Sequence, residues 1–195
     1  MIPPKTLPKV LILAVLLSST ALAIPISYSA TLSGAAESPP VPSGGTGFAQ
    51  AIIDVEAHTL TVSATFSGLT GLTTMAHIHC CTAVAGAGTI GVATEQPSFP
   101  LFPLGVTSGS FTEIFDTTDT SSFGAGFVSA NGGTAAGAEA ALAAGLAAGR
   151  AYLNIHTSFA GGGEVRGFLT EVPEPATFVL TGFALAGLAL RRRLR

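Results

Sequence analysis

The chain has 195 residues, 48% of them hydrophobic and only 10% charged, with a formal charge of −3 at pH 7. Six of its eight basic residues lie at the two ends (Lys5, Lys9, Arg191, Arg192, Arg193, Arg195), so Arg150 and Arg166 alone face ten acidic residues between them, a formal −8 with no lysine. That stretch has no basic cluster to neutralise phosphates, which excludes nucleic acid as a partner and disfavours an anionic membrane surface.

In chain order, the first segment reads as a signal peptide. Lys5 and Lys9 form a positive start, Val10 to Leu17 an apolar centre, and Ala21-Leu22-Ala23 places small residues at Ala21 and Ala23 for signal peptidase, with cleavage after Ala23. From residue 24 to 172 the pattern is that of one domain, mainly β. Strands are predicted at Tyr28 to Leu32, Gly47 to Val55, Thr59 to Phe66, Thr74 to Cys81, Ser108 to Phe115, Ala151 to His156 and Glu164 to Leu169. The alternation is clearest where Leu60, Val62, Ala64 and Phe66 share one face. Gly, Pro and Ser clusters separate the strands, and Thr82 to Thr107 reads as a loop with Pro97, Pro100 and Pro103. Short strands so spaced predict an antiparallel sandwich or barrel, and a Greek-key-like β-sandwich is the expected fold class. One short alanine-rich helix interrupts it at Thr134 to Ala148, with Thr134 as N-cap and Gly137 and Gly145 weakening it.

The chain closes on Pro173-Glu174-Pro175, an apolar run from Ala176 to Leu190, and an arginine cluster. As a helix, 15 residues reach about 22 Å, short of the roughly 20 residues of a permanent span. The arginines would hold that end on the cytoplasmic side. Residues 173–195 resemble a PEP-CTERM sorting signal. The resemblance implies a transmembrane helix that anchors the chain transiently in the inner membrane of a bacterium. It also implies cleavage near Pro173, Glu174 and Pro175 by an exosortase-type enzyme, and delivery to the periplasm, cell surface or extracellular space, often beside exopolysaccharide.

Side-chain alternation then sorts the chemistry. In the strand Thr74 to Cys81, Ala76, Ile78 and Cys80 face a core, while His77, His79 and Cys81 face the other way. A hairpin closed across Thr157 to Gly163 would set His156 beside Glu164, Asn154 opposite Arg166 and Tyr152 opposite Phe168. If the two units are neighbours, His77, His79, Cys81 and His156 form a candidate site for copper or zinc, with Glu164 orienting a ligand histidine. The bland alternative is a set of three solvent-facing or loop-packed histidines in a half-exposed sheet. His58 falls in a turn and is expected at the surface. Asp116 and Asp119 lack the ligand count of a calcium loop, and no nucleophile elbow or phosphate cradle is present.

Cys80 and Cys81 are the only cysteines. Across a trans peptide their Cα atoms would stand about 3.8 Å apart, below the usual disulfide range. A bridge between them would need a distorted peptide. Two free thiols, a metal-bound Cys81 and an intermolecular disulfide are the alternatives, and the alternation favours a buried Cys80 with Cys81 available.

Several of these stretches together resemble a CHRD domain, the module named from chordin. They are Ala30-Thr31-Leu32-Ser33-Gly34-Ala35-Ala36-Glu37-Ser38-Pro39-Pro40-Val41, Phe66-Ser67-Gly68-Leu69-Thr70-Gly71, Ala76-His77-Ile78-His79, Ala148 to Thr157 and Gly162-Gly163-Glu164-Val165-Arg166-Gly167. The likeness spans about Ser29 to Thr170. It implies an extracellular binding or structural module, with exopolysaccharide or envelope proteins as partners and no assigned catalytic residue. The module is also distantly similar to copper/zinc superoxide dismutase, which points to His77, His79 and His156 as ligands and Arg166 as a guiding cation. The zinc loop of dismutase has no counterpart in this sequence. The alternative function is an exported copper- or zinc-binding protein in metal handling or weak redox chemistry.

Overall fold

The computed structural model describes residues 24–173. The proposed signal peptide with Ala21 and Ala23, the Glu174-Pro175 end of the sorting motif, the apolar run and the arginine cluster lie outside the described residues. Among the described residues, no helix is long and apolar enough to cross a membrane.

The domain is one antiparallel eight-stranded sheet. Its strands are β1 (Ile26–Ser33), β2 (Thr46–Asp54), β3 (Thr59–Ser67), β4 (Thr73–His79), β5 (Gly109–Asp116), β6 (Tyr152–Thr157), β7 (Val165–Phe168) and β8 (Thr170–Glu171). They run in the order β4-β6-β7-β1-β2-β3-β5, and β8 pairs with β1. All seven predicted strands are present. The last one is β7, and the short β8 follows beyond its predicted end: Ser33 of β1 pairs with Arg166, while Tyr28 and Ser29 pair with Glu171 and Thr170. The period-two pattern that predicted β3 is the observed burial, with Leu60, Val62, Ala64 and Phe66 inward and Thr61, Ser63 and Thr65 outward.

Two helices follow β5, α1 (Ala125–Ala130) and α2 (Ala135–Ala147). The predicted helix is α2, and its N-cap Thr134 accepts from the Gly137 N–H at 3.1 Å. The sequence reading omitted α1, whose six residues are too short to establish a 3.6-residue period. Leu142 and Leu146 of α2 are fully buried in the core.

The segment between β4 and β5 has no regular structure, as expected, yet it closes the molecule. Phe99 donates its N–H to the Ala76 carbonyl of β4 at 2.9 Å and stacks on Phe111 of β5, centroid to centroid 5.4 Å. Phe102 stacks on Phe66 at 5.5 Å. This loop thus bridges the two strands at opposite ends of the sheet order. It covers the free edge of β4, whose backbone groups would otherwise be unpaired.

The cysteines depart from the reading that left Cys81 available. Cys80 and Cys81 form a disulfide across a cis peptide, which brings their Cα atoms to 3.0 Å. The pair packs on α2 at Gly145, where a Cβ would collide with both sulfurs. The glycine that weakens the helix is the space the disulfide occupies.

A candidate metal centre

β4 and β6 are antiparallel neighbours, with Met75 opposite His156, His77 opposite Asn154 and His79 opposite Tyr152. That pairing brings His77, His79 and His156 together, one ligand nitrogen from each within 4.8 Å of the others. The ring centroids of His77 stand 4.6 Å from both His79 and His156. All three side chains are buried, although they occupy the face opposite Ala76, Ile78 and Cys80. The reason is the 82–107 loop and the β6–β7 turn, which lay backbone carbonyls over that face.

Those carbonyls fix the protons. His79 Nδ1 lies 2.7 Å from the Ile90 carbonyl and His156 Nδ1 lies 3.0 Å from the Gly161 carbonyl. A carbonyl only accepts, so each Nδ1 carries the proton and each Nε2 offers a lone pair. His77 Nε2 sits 2.9 Å from His156 Nε2 and donates to it. That leaves His77 Nδ1 bare, and it and His79 Nε2 are both buried without a partner. Burial, then the mutual repulsion of the other two imidazoles, pushes the His77 pKa down to about 3. Burial pushes His79 down to about 4 against the pull of the Ile90 carbonyl. His156 is also lowered by burial. At neutral pH the cluster is three uncharged imidazoles facing one another, with two lone pairs unmatched.

A second layer packs behind them. The Tyr152 ring stacks on His79 at 4.7 Å, nearly parallel, and the Arg166 guanidinium lies over the same ring, 4.8 Å from its centroid. The position of Tyr152 on the polar face of β6 is legible from the alternation. Its stacking is not, because it depends on the pairing of β4 with β6.

The remaining candidate residues serve elsewhere. Cys81 is not in the cluster, because its sulfur is bonded to Cys80. The predicted register of β6 and β7 is present, with Asn154 opposite Arg166 and Tyr152 opposite Phe168. Even so, Glu164 does not orient a histidine. Its carboxylate accepts from the Ser43 hydroxyl (2.6 Å), the Thr157 hydroxyl (2.6 Å), and the N–H groups of Thr70 (2.6 Å) and Gly71 (3.0 Å). Burial raises its pKa, but these four donors outweigh it and hold the carboxyl below its ordinary value. Arg166 donates to the carbonyls of Ala36 and Gly88 and lies 3.7 Å from Glu37. At 3% exposure it leaves no open guanidinium to steer an anion. His58 is at the surface as expected, but its Nδ1 stands 2.9 Å from the buried carboxylate of Glu139, which also accepts from Thr117. Asp116 is committed to the backbone and hydroxyl of Thr118, and Asp119 caps the short turn Thr120–Ser122.

The family comparisons agree with this architecture. The model of the CHRD domain matches residues 28–169, and the model of the PEP-CTERM protein-sorting motif matches residues 171–193. No curated protein and no solved structure matches the chain. The sorting motif makes this an exported protein that is anchored transiently through its C-terminal segment and processed by exosortase. With the model covering nearly all of the folded part, the chain belongs to the CHRD domain family.

Proposed function

We propose that this exported domain binds a single copper or zinc ion between His77, His79 and His156. Residues 1–23 would be removed by signal peptidase and residues 173–195 would serve as the sorting signal. The working unit is then 24–172, in the periplasm or at the cell surface. The observation that carries the reading is the pair of orphaned lone pairs in a buried, uncharged histidine cluster. Buried polar atoms are almost always satisfied, and a site that leaves two bare is short of a partner that accepts electron pairs. The donor set fits: three neutral imidazoles suit zinc and copper.

The carbonyls of Ile90 and Gly161 already hold His79 and His156 in the tautomer that frees Nε2, the outer support that ligand histidines usually have. His77 would free its own Nε2 by moving the proton to Nδ1, beside the Pro97 carbonyl. When bound, the ion would supply Lewis acidity or, as copper, one-electron redox capacity. Protein recovered after export should contain close to one copper or zinc per chain, or take it up with a rise in melting temperature. His77→Ala/His79→Ala should do neither. A wild-type protein that shows no metal and no thermal response to either ion removes the proposal.

A second reading has its own observation. The outer face of β2, β3 and β5 is rich in hydroxyls, with Thr61, Ser63, Thr65 and Thr112 flanked by exposed Phe48 and Ile114 and the acids Asp54 and Asp116 set at one end beside Thr59. An aromatic side chain beside hydroxyls suits a polysaccharide, in keeping with a matrix or surface module. Retardation of the protein in gels containing exopolysaccharide, abolished by Phe48→Asp, is the expected result. Equal mobility with and without the polymer rules it out.

A further inference from the structure

The sorting motif leaves the fold without a linker. β8 pairs with β1, and the Val172 N–H donates to the Ser27 carbonyl at 2.8 Å. Pro173 then lies in a groove of about 310 Å³ with Ile24, Pro25, Ile26 and Gln50. Glu174 and Pro175 alone separate Pro173 from the apolar run that begins at Ala176. Three Cα steps span at most about 11 Å. A membrane-embedded enzyme that cleaves at this motif therefore works within that distance of the folded edge.

The edge is mostly apolar, with Glu171 the one acid among the groove residues. Ile24, Ile26 and Val172 are 60%, 43% and 39% exposed, side by side along one rim. A contiguous exposed apolar rim marks a contact surface more often than chance exposure does. A formal charge of −8 over 24–172 disfavours the anionic bilayer itself as the partner. We propose that the β1–β8 edge, with Ile26 at its centre, is a docking surface for the exosortase, which reads the folded rim as well as the tag. The proposal rests on the sorting assignment and is independent of the metal site. Ile26 is the informative position, because it lies outside the matched motif and its substitution leaves the tag unchanged.

The test is pulse-chase conversion of full-length precursor to processed protein in cells that carry an exosortase. The chains compared are wild type, Ile26→Asp, and both again with a ten-residue Gly-Ser insertion between Val172 and Pro173. Ile26→Asp should slow conversion about fivefold, the effect of losing one significant interface residue. With the insertion in place, the substitution should no longer matter, because the rim is uncoupled from the tag. Melting temperatures within about 2 °C of wild type should accompany this, as expected for an exposed position. Conversion of Ile26→Asp at the wild-type rate overturns the proposal. So does faster conversion of the inserted chain, which would make the rim an obstruction. Flotation of wild-type protein, but not Ile26→Asp, with phosphatidylethanolamine–phosphatidylglycerol vesicles would make the bilayer the partner and equally overturn it. Failure of the wild type itself to be converted would instead strike at the sorting assignment.

Discussion

Two buried polar clusters lie on neighbouring residues of β6, and they are built in opposite ways. Thr157 joins the Glu164 carboxylate, where four donors converge on two oxygens and none is left over. His156 joins the imidazole cluster, where two buried nitrogens have no hydrogen-bond partner. Glu164 ties together the loops at Ser43 and Thr70-Gly71 with the β6–β7 turn. Beyond the β4–β6 ladder the histidines hold two single carbonyls, Ile90 in the long loop and Gly161 in the β6–β7 turn. A satisfied buried network reads as structure, and an unsatisfied one reads as a place for something else.

The contrast is sharpest when each cluster is deleted. Glu164→Ala leaves two hydroxyls and two backbone N–H groups without their acceptor, those of Thr157 and Gly71 buried and those of Ser43 and Thr70 partly so. The loss should be at least about 3 kcal/mol, since each unmatched buried donor costs roughly 1–3. Urea unfolding measures it, and a loss under about 1 kcal/mol would mean that the loops find other acceptors and the knot is not structural. The histidine cluster should behave otherwise. His77→Leu/His156→Leu replaces both members of one hydrogen bond by apolar groups, a change that is nearly neutral when shape is kept, and it releases the carbonyl of exposed Gly161, which water can satisfy. The metal-free protein should stay within about 1 kcal/mol of wild type. The same variant should lose the stabilisation that bound metal supplies, about 2.7 kcal/mol at a hundredfold excess over Kd. A large loss in the metal-free variant would show that the imidazoles are structural and dissolve the contrast.

Gly145 offers a smaller effect. Gly145→Ala should gain up to about 1 kcal/mol from helix propensity, but the new methyl meets both sulfurs of the Cys80–Cys81 bridge. Overpacking of that kind costs about 1–3 kcal/mol, so the net should be a loss. In a Cys80→Ala/Cys81→Ala background the same substitution should turn neutral or stabilising. A loss of equal size in both backgrounds would place the clash elsewhere.

How much of this the residues announce depends on the range of the interaction. Strands, faces and the β6–β7 register follow from period-two alternation and a short turn, so the opposition of Asn154 and Arg166 was legible. The gathering of His77, His79 and His156 needed one long-range fact, the pairing of β4 with β6, which alternation makes possible but does not supply. Burial of the imidazoles was legible only as an alternative, histidines packed under a loop. It comes from carbonyls of Ile90, Pro97 and Gly161 in irregular segments, and a backbone carbonyl has no residue signature. The use of Glu164 was hidden for the same reason, since two of its partners are backbone N–H groups. For Cys80 and Cys81, a trans peptide was the ordinary premise, and the chain departs from it there.

The smallest expected effect is a dependence on pH in which two groups oppose each other. His77 and His79 have folded pKa values near 3 and 4, well under the ordinary 6.5. The unfolded chain therefore takes up their protons first, and their contribution is complete above pH 6.5 and is lost as pH falls toward 4. Glu37 runs the other way. Burial raises it from 4.5 to about 7 despite the neighbouring Arg166, so its contribution is complete below pH 4.5 and is lost as pH rises through 7. Between pH 4.5 and 6.5 the two effects compete, each proton contributing at most about 1.4 kcal/mol per pH unit. Two histidines outweigh one glutamate, so metal-free protein should still weaken on acidification across that window. Glu37→Gln removes the opposing contribution and should make the decline steeper. Urea midpoints at pH 6.5, 5.5 and 4.5 decide it. A Glu37→Gln profile parallel to wild type would mean that the carboxyl is already ionised in the fold, held by Arg166 more firmly than burial opposes it.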